Sequence, residues 1–186
     1  KSILSIVPLI RPRQISYTEE IMSFRYFAYG SNMYTKKLLV TAVSAKVICI
    51  ANLSGYKILF NKISSDGSAK CNLSKSSRDS DVVWGVVFKI DETDHEALRR
   101  SEGGYMEYSV ILSDGNPAVT FIANPERVDD QNSPFDWYKE YCQKGAREHH
   151  LPANYIHDSI DMTPTKPDSD LDRSKKHRSM LMSSLS

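Results

Sequence analysis

Val82-Val83-Trp84-Gly85-Val86-Val87-Phe88-Lys89-Ile90 sets the architecture of this 186-residue chain. β-branched and aromatic residues fill it, and these suit a pleated backbone. The apolar run is continuous rather than alternating, so the strand is buried on both faces. A glycine inside such a run, Gly85, marks a bulge or a close backbone approach.

Working outward, further strands come on both sides. Val47 to Leu53 and Tyr56 to Phe60 are apolar runs split by Ser54-Gly55, and Ala69 to Leu73 follows an Asp66-Gly67 turn. Arg25 to Tyr29 is a short aromatic run ending at Gly30. Downstream, Tyr105 to Leu112 alternates, with Met106, Tyr108, Val110 and Leu112 on one face. Asp114-Gly115 then turns the chain, and Ala118 to Ala123 returns it. Short strands with few helices between them predict an α+β fold, a small closed mixed β-barrel of about six strands with flanking helices.

The helices are fewer. Thr35 to Val43 follows the first strand. Asp91 to Ser101 has Asp91 as N-cap and stops at Gly103-Gly104. Residues 134–149 form the clearest helix, with Ser133 as cap and Pro134 at the first helical position. Its buried face is Tyr138, Tyr141, Cys142, Gly145 and Ala146. Pro152 opens another short helix toward Ile160.

The expected organisation is one domain over residues 22–160. Residues 1–21 hold one short apolar stretch, broken by Pro8, and lack the order of a secretory signal. They read as a peripheral segment, with Met22 as a natural start. Residues 161–186 are polar and read as a tail or a short surface helix carrying Lys175, Lys176 and Arg178.

Composition narrows the function classes. With 24 basic against 23 acidic residues the chain lacks the cationic excess of a duplex nucleic-acid binder. No apolar run approaches the roughly 20 residues that span a bilayer. Cys49, Cys71 and Cys142 are odd in number and widely spaced, which suits reduced thiols in a cytoplasmic protein and fits no zinc pattern. His149, His150 and His157 form no metal pattern, since adjacent helical side chains diverge by about 100°.

Two places could carry chemistry. Tyr29-Gly30-Ser31-Asn32 lies between a strand and a helix. Gly30 permits a positive φ or a close approach, and Ser31 or Asn32 can cap the following helix. Such a loop offers backbone N–H groups to a carboxylate or an oxyanion, or it is an ordinary capped turn. Glu102 ends a helix, where the dipole disfavours a carboxylate; burial would raise its pKa toward general acid–base use. The alternative is an exposed glutamate at a frayed end. Glu107 is its neighbour on the strand and reads as solvent-facing. Cys71, beside Lys70, reads as packed rather than nucleophilic.

Phe27-Ala28-Tyr29-Gly30-Ser31-Asn32-Met33 resembles the opening signature of the γ-glutamylcyclotransferases. Residues 65–70, 84–88 and 98–105 resemble the following turn, the central strand and the segment with the family's catalytic glutamate. Ser133-Pro134, Tyr138, residues 145–148 and Leu151-Pro152 resemble its closing helix. The ordered match runs from about residue 24 to 160. Phe121 stands where the family often has tyrosine, and Ala69 where a glycine is expected. The resemblance implies a cofactor-free, metal-free enzyme that converts γ-glutamyl amino acids to 5-oxoproline and a free amino acid. It implies Glu102 as general acid–base and Tyr29, Gly30, Ser31, Asn32 and Tyr105 as substrate-binding residues. The implied partner is a small γ-glutamyl molecule, with no nucleic acid and no membrane; a homodimer is left open. Two alternatives stand beside it: a barrel that has lost catalysis and binds a small molecule or a protein, and a cyclotransferase for another γ-glutamyl amine.

Overall fold

The computed structural model describes residues 22–183. The expected peripheral segment, residues 1–21, lies outside the described residues. The strands are β1 (Ser23–Ala28), β2 (Lys46–Ser54), β3 (Tyr56–Ile63), β4 (Ala69–Lys75), β5 (Val82–Asp91), β6 (Tyr105–Ile111) and β7 (Pro117–Ala123). The α-helices are α1 (Thr35–Leu39), α2 (His95–Ser101), α3 (Asp136–Glu148), α4 (Ala153–Ile156) and α5 (Leu171–Met182).

The predicted central strand is central. β5 pairs antiparallel with β1 on one edge and β2 on the other, and Val86 and Val87, on opposite faces, are both fully buried. Gly85 is there for close approach. A Cβ on it would lie 2.4 Å from the Ala28 carbonyl oxygen and 2.6 Å from the Phe27 ring.

The predicted closure does not occur. Seven strands form a five-stranded sheet, β2-β5-β1-β7-β6, and a separate β3-β4 hairpin. The sheet is mixed because β1 meets β7 in parallel. At Gly55 the chain leaves β2 and enters the hairpin instead of pairing back. A side chain then takes the place of a ladder between hairpin and sheet: Asn72 Oδ1 accepts the Ala123 amide at 2.9 Å, and Asn72 Nδ2 donates to Asn61 Oδ1 at 3.1 Å. The edges β2 and β6 stay unpaired with each other. The fold is α+β, with sheet and hairpin facing a shared core.

The predicted caps of α2 and α3 are displaced. The main helix starts at Asp136 with Phe135 as N-cap, because the backbone around Pro134 is extended and bonded to Lys166. Its buried face is the predicted one with Trp137 added. Asp91 precedes a 3-10 turn, Glu92–Asp94, and makes no side-chain cap. Asp94 instead accepts the Ser44 amide and hydroxyl, at 2.8 and 2.6 Å.

The polar C-terminal residues pack on α3. Leu181 is buried, the His177 ring stacks on Trp137 with centroids 3.8 Å apart, and buried Asp168 accepts Trp137 Nε1 and Arg173. Asp168, His177 and Arg178 bond to α3, while Lys175 and Lys176 face solvent.

Gly145 fixes the geometry that matters most for the site. A Cβ there would lie 2.3 Å from the Tyr34 amide nitrogen and 2.5 Å from the Met33 carbonyl carbon. Helix α3 therefore lies directly against the backbone of the loop that follows β1.

Candidate active site

The loop after β1 is a single 3-10 turn, Ser31–Met33. Met33 N–H donates to the Gly30 carbonyl at 3.0 Å and Tyr34 N–H to that of Ser31 at 3.3 Å. Tyr34, not Ser31 or Asn32, holds the N-cap position of α1, and no side chain caps it. Among the described residues, the amides of Gly30, Ser31 and Asn32 have no protein acceptor. These donors belong to the turn rather than to a helix terminus, since α1 is only five residues long. Gly30 has φ −119°, so a positive φ is not its reason. The reason is Cys71, whose Cβ would lie 2.9 Å from an added Cβ.

Freed from capping, the Asn32 side chain turns inward and is fully used. Its Nδ2 donates to Glu102 Oε1 at 2.7 Å and to the Tyr26 hydroxyl at 3.1 Å. Its Oδ1 accepts from Lys37 Nζ at 2.5 Å. The ammonium can only donate, which fixes the orientation of the amide.

Glu102 is the C-cap of α2, with its own N–H bonded to the Arg99 carbonyl. Glu102 is half-buried and its carboxyl is held by Asn32, so the frayed, exposed alternative fails. Burial pushes its pKa above the ordinary 4.5, opposed by Lys37, by the Asn32 bond and by Lys62. Desolvation wins because none of these partners sits in a direct, bidentate ion pair with it. Glu107 is exposed, as expected, and bonds to His95 Nε2 at 2.9 Å.

Glu102 and the loop meet in one small cleft. Its walls include Tyr26, Tyr29, Tyr105, Tyr138 and Phe121. The tyrosines are pinned through their hydroxyls. Tyr29 donates to the Phe121 carbonyl, Tyr105 donates to the Cys71 carbonyl at 2.7 Å, and Tyr138 accepts the Cys71 amide at 3.1 Å. Phe121 thus serves the site through its backbone as well as its ring. Cys71 is buried with its thiol pKa pushed well up, first by desolvation, so it is packing and not a nucleophile. Among the described residues no cluster of three or more His, Cys, Asp or Glu could hold a metal ion.

The structure brings together all the predicted site residues: Tyr29, Gly30, Ser31, Asn32, Glu102 and Tyr105. It adds Tyr26, Lys37, Lys62 and Tyr138. Tyr138 was readable as a core residue of α3, with no signal that it faces the cleft. Lys62 had no signal at all. A bulge between Phe60 and Lys62 re-aims it inward, where Nζ lies 4.6 Å from the Tyr105 ring centroid and donates to the Gly103 carbonyl at 2.5 Å.

Known proteins share this sequence pattern and this fold. The AIG2-like family model matches residues 82–158. A γ-glutamylcyclotransferase of Homo sapiens is 29% identical over 145 residues, covering 72% of this chain and 75% of that protein. One of Mus musculus is 28% identical over 149 residues, covering 74% and 77%. A solved γ-glutamyl cyclotransferase structure superposes with a TM-score of 0.68 at 25% identity, covering 83% of this chain and 99% of that one. The chain is similar in sequence and in fold to the γ-glutamylcyclotransferases. Residues 82–158 span β5 through α4 and so include Glu102, while the turn amides lie upstream of the family match.

The division of labour between the two turn residues can be tested. Ser31→Ala keeps the amide and should cost little, because no side-chain bond of Ser31 supports the cleft. Asn32→Leu removes the one direct bond to Glu102, which lowers that carboxyl's pKa. The acid limb of the pH–activity profile should therefore move to higher pH in Asn32→Leu and stay in place in Ser31→Ala. Equal profiles in both variants would remove Asn32 from any control of Glu102.

Proposed function

We propose that this chain converts γ-glutamyl amino acids to 5-oxoproline and a free amino acid without a cofactor. The observation that carries the reading is that the Glu102 carboxyl and the unpartnered turn amides share one cleft. A fold of this kind that had lost catalysis and served as a binding module would have no need to keep a desolvated acid opposite free donors.

The chemistry follows from that arrangement. The α-ammonium of the γ-glutamyl group gives a proton to the Glu102 carboxylate and attacks its own γ-carbonyl. A five-membered lactam forms through a tetrahedral intermediate. The amides of Gly30, Ser31 and Asn32 are placed to hold its oxyanion or the substrate carboxylate. Glu102 passes its proton to the leaving nitrogen as the C–N bond breaks. The second proton, left on the ring nitrogen of the tetrahedral intermediate, follows the same route through Glu102 to the released amine, so two protons are moved in turn and the enzyme returns unchanged. The tyrosine walls hold the substrate folded, which removes much of the entropic barrier.

The pH dependence has a defined sign. The base form is the carboxylate, and its pKa is raised above 4.5. Activity should therefore fall as pH drops through a value above the ordinary carboxylate range. An acid limb at or below 4.5 would contradict a buried Glu102 as base. The direct test is 5-oxoproline release from a panel of γ-glutamyl dipeptides, with and without a chelator. Release unaffected by the chelator is expected; release restored only by a divalent ion would overturn the mechanism. The free thiols Cys49, Cys71 and Cys142 fit a cytoplasmic setting for this activity.

A further inference from the structure

Outside the small cleft, and sharing Ser31, Glu102, Tyr105 and Tyr138 with it, opens a larger chamber of about 610 Å³. Its charge is unbalanced. Lys37, Lys62, Lys70, Arg100 and Arg127 line it against Asp66 and Glu102. Lys70 is matched by Asp66 at 2.8 Å, and Lys37 faces Glu102 across the Asn32 amide. The Asp66 carboxyl is accordingly held down to about 2, against its own desolvation, by bonds from Lys70 and Ser68.

That leaves cations with no carboxylate of their own. Lys62 is buried and bonds only to a carbonyl and a ring face. Arg127 lies beside it across Gly104, whose position is 3.1 Å from Lys62 Cε and 3.7 Å from Arg127 Cγ as measured from an added Cβ. Among the described residues neither makes an ion pair within 4.0 Å; Glu102 and Asp66 act on Lys62 only from farther away. Arg100, on the rim, reaches Glu96 at 3.7 Å on its outer side. Burial first and then the Arg127 charge disfavour the Lys62 ammonium, and an anion between the two cations would relieve both.

Given the reading above, which this rests on, the leaving amino acid must project from the small cleft into this chamber. Its own α-carboxylate can satisfy one cation. We propose that the chamber selects a leaving amino acid that is itself acidic, its side-chain carboxylate held between Lys62 and Arg127. The preferred substrates are then γ-glutamyl dipeptides whose second residue is glutamate or aspartate.

The test compares γ-glutamyl-glutamate with γ-glutamyl-glutamine, which have nearly the same shape and differ in one charge. Charge-assisted bonds of this kind discriminate by roughly tenfold or more. The acidic substrate should therefore have the higher kcat/KM by about that factor at low salt, and added salt should shrink the gap. Arg127→Gln should reduce the ratio to within about threefold. Arg127 is exposed, so this variant folds even if Lys62→Gln does not. A wild-type ratio within twofold, or a ratio unchanged in Arg127→Gln, overturns the proposal. If γ-glutamyl-alanine is cyclised and neither test substrate is, the selectivity fails while the reaction stands. If no γ-glutamyl dipeptide yields 5-oxoproline, the reaction itself fails and the selectivity with it.

Discussion

Glu102→Gln should abolish 5-oxoproline formation while leaving the fold unchanged. The amide has nearly the shape of the carboxyl and can still accept from Asn32 Nδ2, whose bond to Glu102 is 2.7 Å long. It lacks the ability to take and return a proton. General acid–base groups contribute roughly 10²–10⁴-fold, so the variant should lose at least about a hundredfold in kcat. The rate should not recover at any pH, because no other carboxylate lies within the small cleft. A folded variant retaining more than about a tenth of the wild-type rate would exclude Glu102 as the proton carrier.

The second large effect is expected at a residue remote from the chemistry. Helix propensity alone predicts that Gly145→Ala, in the middle of α3, stabilises the protein by about 1 kcal/mol. Sterics predicts the opposite and should win. The new Cβ would sit 2.3 Å from one backbone atom of the turn region and 2.5 Å from another, and backbone has no rotamer to give. Overpacking of this kind costs about 1–3 kcal/mol, a drop in Tm of several degrees for a chain of this size. The more telling readout is kinetic. A shift of α3 against Met33 and Tyr34 moves the turn amides relative to Glu102, and misplacement by about 1 Å can cost on the order of a hundredfold. Gly145→Ala should thus lower kcat/KM far more than its loss of stability explains at temperatures where it is fully folded. A variant with raised Tm and full activity would mean that α3 does not seat the turn.

The two variants separate the roles that make the site. One removes a proton carrier and keeps the scaffold; the other keeps every cleft residue and displaces the scaffold. Their contrast also bears on the choice between an enzyme and a binding module. A module should tolerate Glu102→Gln with its ligand affinity intact.

What was legible in the sequence was whatever a short window encodes. The two-faced burial of β5, the alternation of β6, the buried stripe of α3 and the glycine-closed ends of strands and helices each depend on neighbours a few residues away. The Tyr29–Asn32 loop and Glu102 were legible as candidates for the same reason, each sitting at a local strand or helix end. Whether they meet was not. Asn32 and Glu102 are 70 residues apart and touch only because β1 lies beside β5, with α2 following β5 directly. Closure of the sheet was equally out of reach, since strand number does not say which edges pair; here the Asn72 side chain holds the hairpin to β7 in place of a ladder. Lys62 shows the physical reason most plainly. Strand periodicity gives a side chain's face only while the ladder is regular, and one bulged residue, Asn61, reverses the faces of all that follow. The sequence by itself determined the elements and the residue types able to do chemistry. Strand pairing, the bulge and the seat of α3 on Gly145, all long-range and steric, decided which of those residues share a cleft.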